Sequence, residues 1–119
     1  MFTEILQRIV EETAGAVGAV LMGYDGIAIE QYFRKDKQLD LQMIAIEYAN
    51  VLKEIRKTSE ILDMGEMQEV SIRTEQLITV IRIITPEYFV ALALAHDGNF
   101  GKGRYLLSRE TVNLRNELV

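Results

Sequence analysis

Cysteine is absent from the 119 residues, so the chain has no disulfide framework, no thiolate metal site and no cysteine nucleophile. Histidine occurs once, as His96, too little imidazole for a histidine-built metal centre. No metal and no cofactor are expected. Positive charge is in deficit as well: thirteen Lys and Arg stand against eighteen Asp and Glu, for a net charge of −5, and the basic residues are scattered rather than striped. A nucleic-acid partner is not expected from that balance. No run approaches the ~20 apolar residues of a spanning helix. The opening stretch from Met1 to Thr13 carries Glu4, Glu11 and Glu12 among its apolar residues, unlike a secretory signal. The expectation is a cytoplasmic protein with no membrane contact. What is present, 49% hydrophobic against 26% charged residues, is the balance of an ordinary globular domain. A chain of this length buries roughly two-thirds of its unfolded surface and builds one core, so residues 1–119 are read as a single domain.

Phe2, Ile5, Leu6, Ile9 and Val10 follow the three-and-four spacing of one helical face, with Glu4, Gln7, Arg8, Glu11 and Glu12 on the other. Gly15 ends this helix. The run Ala16 to Met22 is too short and too apolar for a surface helix and reads as a buried strand. Asp25-Gly26 supplies the positive φ of a tight turn, and alternation resumes from Ile27 to Phe33, so the first two strands should form a hairpin. Arg34-Lys35-Asp36-Lys37, with Gln38, reads as a solvated loop leading into the longest helical pattern, Leu39 to Leu62.

That helix has two apolar faces. Leu41, Ile44, Tyr48, Val51, Ile55 and Leu62 share one side, while Leu39, Met43 and Ile46 fall nearly opposite, because two residues advance a helix by about 200°. A lone two-layer domain needs only one such face, so the second must cover something. Three strands follow as a meander. Glu69 to Thr74 alternates as a half-exposed strand, Glu75-Gln76 turns, Leu77 to Ile84 is β-branched, Thr85-Pro86-Glu87 breaks it, and Tyr88 to Ala95 places Ala91, Ala93 and Ala95 on one face. Small residues there let a helix approach closely, which argues for a mid-sheet strand. His96 to Asn99 turns into a last helix, about Gly101 to Leu118, with Leu107, Thr111, Leu114 and Leu118 on one stripe. The predicted order is α-β-β-α-β-β-β-α, an α+β sandwich whose five-stranded antiparallel sheet carries helices on its faces.

Candidate chemistry is sparse. Gly98, Gly101 and Gly103 around Lys102 precede a helix, but neither the P-loop nor the dinucleotide spacing is met. His96 beside Asp97 reads as a turn pair, since neighbours point apart. Ser59, Ser71 and Ser108 lack a nucleophile's setting, and Glu11-Glu12 reads as a solvated face. Arg73, Arg82 and Arg104 are weighed as arginines offered to a GTPase in trans, with surface or ion-pair roles the simpler reading. No enzyme site is found. An exposed stripe of Met43, Ile46, Glu47, Asn50 and Glu54 along the central helix is the candidate partner-binding surface.

The opening amphipathic helix, the glycine-flanked hairpin around Asp25-Gly26, the long central helix, the meander and the closing Gly-Lys-Gly-Arg-Tyr-Leu-Leu helix together resemble the roadblock family, most of all its bacterial MglB type. The resemblance covers essentially the whole chain. It implies a homodimer whose central helices pack across a twofold axis and whose following strands pair edge to edge, continuing the sheet through both subunits. Carried onto this sequence, the dimer interface is expected at Leu39, Met43, Ile46, Val70, Ile72 and Thr74. The resemblance further implies binding of a Ras-like small GTPase and stimulation of its GTP hydrolysis by reshaping the GTPase, in cell polarity or motility. A dimeric adaptor of a larger complex, without GTPase activation, is the alternative it allows.

Overall fold

Residues 1–34 and 39–118 are described in the computed structural model; Lys35, Asp36 and Lys37 of the expected charged loop, together with Gln38 and Val119, lie outside the described residues. Eight elements follow in the expected order: α1 (Phe2–Glu12), β1 (Ala16–Gly23), β2 (Ala28–Phe33), α2 (Leu41–Ile61), β3 (Glu69–Arg73), β4 (Leu77–Thr85), β5 (Tyr88–Ala95) and α3 (Phe100–Glu117).

Local chemistry sets the boundaries. Gly26 takes a φ of 87°, and Asp25 Oδ1 accepts from Ile27 N at 3.1 Å, which closes the β1–β2 hairpin. Asp40 caps α2 by accepting from Met43 N at 3.0 Å, and Asn99 caps α3 by accepting from Lys102 N at 3.1 Å. The Asp40 cap starts α2 two residues later than the sequence pattern suggests, so Leu39 lies before the helix rather than on it. Thr74 N donates to Leu77 O at 2.9 Å across the tight 75–76 turn.

The strands form one antiparallel sheet in the order β2-β1-β5-β4-β3. β5 is the middle strand, as its two-sided burial requires. Two layers cover the sheet. On one face Ile5, Leu6, Ile9 and Val10 of α1 and Leu106, Leu107 and Leu114 of α3 pack on Leu21, Val80, Leu92 and Leu94. On the other, α2 sets Leu41, Ala45, Ala49 and Leu52 against Val20, Met22, Ala91 and Ala93.

α2 approaches the sheet most closely over β1, with Ala45 and Ala49 on its buried side, and this corrects the expected core stripe. The fully buried positions are Leu41, Ala45, Ala49 and Leu52, whereas Ile44, Tyr48 and Ile55 are half-buried and Val51 and Leu62 remain 51% and 61% exposed. The larger apolar side chains were displaced toward one flank because the smaller ones own the contact. On the opposite face α3 approaches through Gly103, where a Cβ would stand 3.0 Å from Leu92 Cδ2.

One charge is buried between the two helices of that layer. Glu110 is 3% exposed and accepts from Arg8 Nη2 and Asn113 Nδ2, both at 2.9 Å, and from Arg109 Nε at 3.2 Å. Arg8 thereby ties α1 to α3.

Candidate functional site

The face that α2 leaves uncovered is set by where it sits. It comes closest to β1, and β3 is left at the far edge of the sheet. The inward side chains of β3, Val70 and Ile72, are half-buried and belong to the α2-side core. β3 pairs with β4 along one side, from Glu69 opposite Arg82 to Arg73 opposite Ile78, and its other side pairs with no described strand.

Beside this edge runs the flank of α2 made by Ile44, Tyr48, Val51 and Ile55, spaced at four, three and four residues on one side of the helix. Ile44 and Tyr48 line a shallow hollow of about 320 Å³ together with Leu39, Thr74 and Leu77. An apolar helix flank, a half-covered sheet face and an unpaired strand edge therefore form one continuous surface.

The six residues of the sequence-derived dimer interface do not all meet there. Leu39, Val70, Ile72 and Thr74 gather around this flank. Met43 is 60% exposed on the outward side of α2. Ile46, 40% exposed, lies toward the β1–β2 hairpin, where its Cγ1 would be 3.7 Å from a Cβ placed on Gly26. The reason is angular: at about 100° per residue, positions 43 and 46 point away from the side that carries 44, 48, 51 and 55.

Met43 and Ile46 do share the solvent side of α2 with Glu47, Asn50 and Glu54, all exposed. These five residues thus form one exposed strip along the helix. Among the described residues its ion pair is Lys57 Nζ with Glu54 Oε1 at 4.0 Å, both side chains largely exposed, and it contributes little to stability. Its carboxylates face solvent beside two apolar side chains. Ile44 and Tyr48 suit a core stripe by residue type, which hides this flank in the sequence; the signal for the buried side is the small pair Ala45 and Ala49 between Leu41 and Leu52.

The other motifs take structural places. Gly103 is buried against Leu92, and Asn99 already occupies the amide of Lys102, so the glycines serve helix packing. His96 and Asp97 are exposed turn residues. Glu11 accepts from Tyr32 Oη at 2.6 Å, and that hydrogen bond, with one from Gln7, holds its carboxyl below the ordinary range. Ser71 and Ser108 are exposed and Ser59 is half-buried. Of the three arginines weighed as trans-acting, Arg104 is held by Glu69 at 2.6 Å, Arg82 is half-buried on β4, and Arg73 is exposed on the edge strand. Among the described residues no group of three or more His, Cys, Asp or Glu is placed to hold a metal ion, and no helix is long and apolar enough to cross a membrane.

Known structures share this architecture. MglC from Myxococcus xanthus is 40% identical over 96% of both chains, with a TM-score of 0.69. A roadblock/LC7 domain from Streptomyces avermitilis superposes with a TM-score of 0.84 at 13% identity, over 97% of this chain and 95% of that one. The gliding protein MglB from Thermus thermophilus does so with a TM-score of 0.84 at 18% identity, over 95% and 84%; these two likenesses are of fold alone. No protein-family model matches the sequence, and no curated protein does.

Proposed function

The chain belongs to the roadblock family, and on that premise we propose that it is a homodimeric regulatory protein of a gliding-motility or polarity system, which binds a Ras-like small GTPase in the cytoplasm and stimulates its GTP hydrolysis. The observation that carries this reading is the continuous surface of α2 flank and β3 edge. A twofold axis beside it pairs the two β3 strands, supplies the ladder partners that edge lacks, and covers Val70 and Ile72 with the partner's helix. Leu39, Ile44, Tyr48, Val51, Ile55 and Thr74 then lie in the interface.

Two α2 helices so placed turn their outward sides the same way. Met43, Ile46, Glu47, Asn50 and Glu54 from each protomer make a platform wider than one helix, with two apolar anchors amid carboxylates, and this platform is the proposed GTPase contact. Stimulation acts by reshaping the GTPase. The outward strip carries no arginine, Arg104 is committed to Glu69, and Arg73 lies on the strand that the dimer would pair, so neither the strip nor these two arginines offers a cation to the GTPase.

The lack of an arginine on that strip equally favours a second reading, a dimeric adaptor that tethers the same partner without accelerating turnover. One experiment separates them: sedimentation of the protein at micromolar concentration, followed by GTP turnover of the cell's Ras-like GTPase with and without excess dimer. The proposal expects twice the chain mass and faster turnover. A monomer removes the dimer, and GTP-dependent binding with unchanged turnover selects the adaptor.

A further inference from the structure

We propose that the open end of β4 forms a phosphate-binding cleft, built by Arg56, Arg82 and Arg115 from three different elements and independent of the GTPase contact. β3 begins at Glu69, opposite Arg82, and the last hydrogen bond on that side runs from Ile83 N to Gln68 O at 3.0 Å. β4 continues beyond it. Its register against β5 shifts around Ile84, a bulge that re-aims a carbonyl out of the ladder, and Arg115 Nε of α3 donates to Ile84 O at 3.0 Å. From the opposite face of the sheet, Arg56 Nη2 of α2 donates to Pro86 O at 3.0 Å, and its guanidinium stacks 4.1 Å over the Tyr24 ring. Two guanidinium groups are thus pinned to one three-residue segment by backbone carbonyls, each with further N–H donors to offer.

Arg82 rises from the strand beside them and lines the same cavity of about 750 Å³. Its Nε is buried and finds no acceptor among the described residues. A buried donor left without a partner is costly, and an anion that engages this guanidinium through its cavity-lining end offsets part of that cost. Glu60, Asp63 and Glu66 also border the cleft, yet they are exposed, and among the described residues none comes within 4.0 Å of the three guanidinium groups. The arginines are therefore a site held ready rather than an ion-pair network.

The geometry selects the anion. Guanidinium forks arriving from both faces of the sheet and from the strand between them suit a tetrahedral group with three free oxygens better than a planar carboxylate with two. A cavity of this size, with Met67 and Ile83 on its wall, accommodates a small organic body attached to that phosphate. A phosphomonoester and inorganic phosphate share this chemistry.

The test is titration calorimetry of the full chain with inorganic phosphate, a nucleoside monophosphate and the bare nucleoside, in chloride at constant ionic strength. Saturable binding of either phosphate species, weakened about tenfold or more in Arg82→Gln, is expected. Tighter binding of the monophosphate than of phosphate identifies an esterified ligand, and equal binding identifies the free anion. Arg115→Gln, on the exposed end of α3, makes the same prediction should Arg82→Gln fail to fold. Absence of saturable binding, or undiminished binding in the folded variants, overturns the site.

Discussion

Replacing Glu110 by Gln tests how the α1–α3 layer is held. The substitution preserves shape while removing the charge on which Arg8, Arg109 and Asn113 converge, and it places an NH₂ against at least one donor. Hydrogen bonds to a charged group contribute about 1.5–3 kcal/mol each, and removing one member of a fully buried pair costs about 3–5 kcal/mol. Arg8 and Arg109 are 42% and 40% exposed, so water replaces part of what they lose, and the expected cost is about 2 kcal/mol. With an unfolding entropy of about 2.1 cal/mol/K per residue over 119 residues, that lowers Tm by about 8 °C.

The pH dependence follows from the same contacts. Burial pushes the Glu110 carboxyl up, but the hydrogen bonds from Arg8, Asn113 and Arg109 and the charge of Arg8 outweigh it and leave the folded pKa lowered. A lowered folded pKa gives stability that is present above the unfolded value and lost as pH falls through the folded one. The gap between the native protein and Glu110→Gln should therefore be widest near neutrality and close in acid, below about pH 4. Thermal and urea unfolding at fixed protein concentration measures it. A variant within about 0.5 kcal/mol of native at pH 7, or a gap that stays constant into acid, refutes the reasoning.

Val51→Asp should shift the sedimenting species from dimer to monomer while leaving the helix content unchanged, because Val51 is half-exposed in the single chain and a charge desolvated at a twofold contact meets its own copy. Met43→Arg and Asn50→Arg should each weaken GTPase binding about tenfold without altering the unfolding midpoint; full binding by both would clear the outward strip of this role. Gly18→Ala would put a Cβ 2.4 Å from Phe33 Cδ1 and 3.0 Å from Tyr32 O, so urea unfolding should show a loss of about 1–3 kcal/mol.

The helices, strands and hairpin were legible because their signals are local: a three-and-four apolar spacing in α1, an Asp-Gly turn at 25–26, alternation in β3 and β-branched density in β4. Small residues at Ala91 and Ala93 even placed β5 in mid-sheet. The interior face of α2 was not legible. Hydrophobicity ranks Ile44, Tyr48 and Val51 above Ala45 and Ala49, but a helix seated closely on a sheet buries what fits nearest, and that depends on residues distant in the chain. The same holds for the cleft. Arg56, Arg82 and Arg115 are unremarkable singly in the sequence, and a bulge at Ile84 with a strand partner whose pairing stops at Arg82, three residues before β4 ends, brings them to one segment. Local patterns determined which elements form and in what order; distance contacts alone decided which sides of those elements remain open, because exposure is a property of the packed whole.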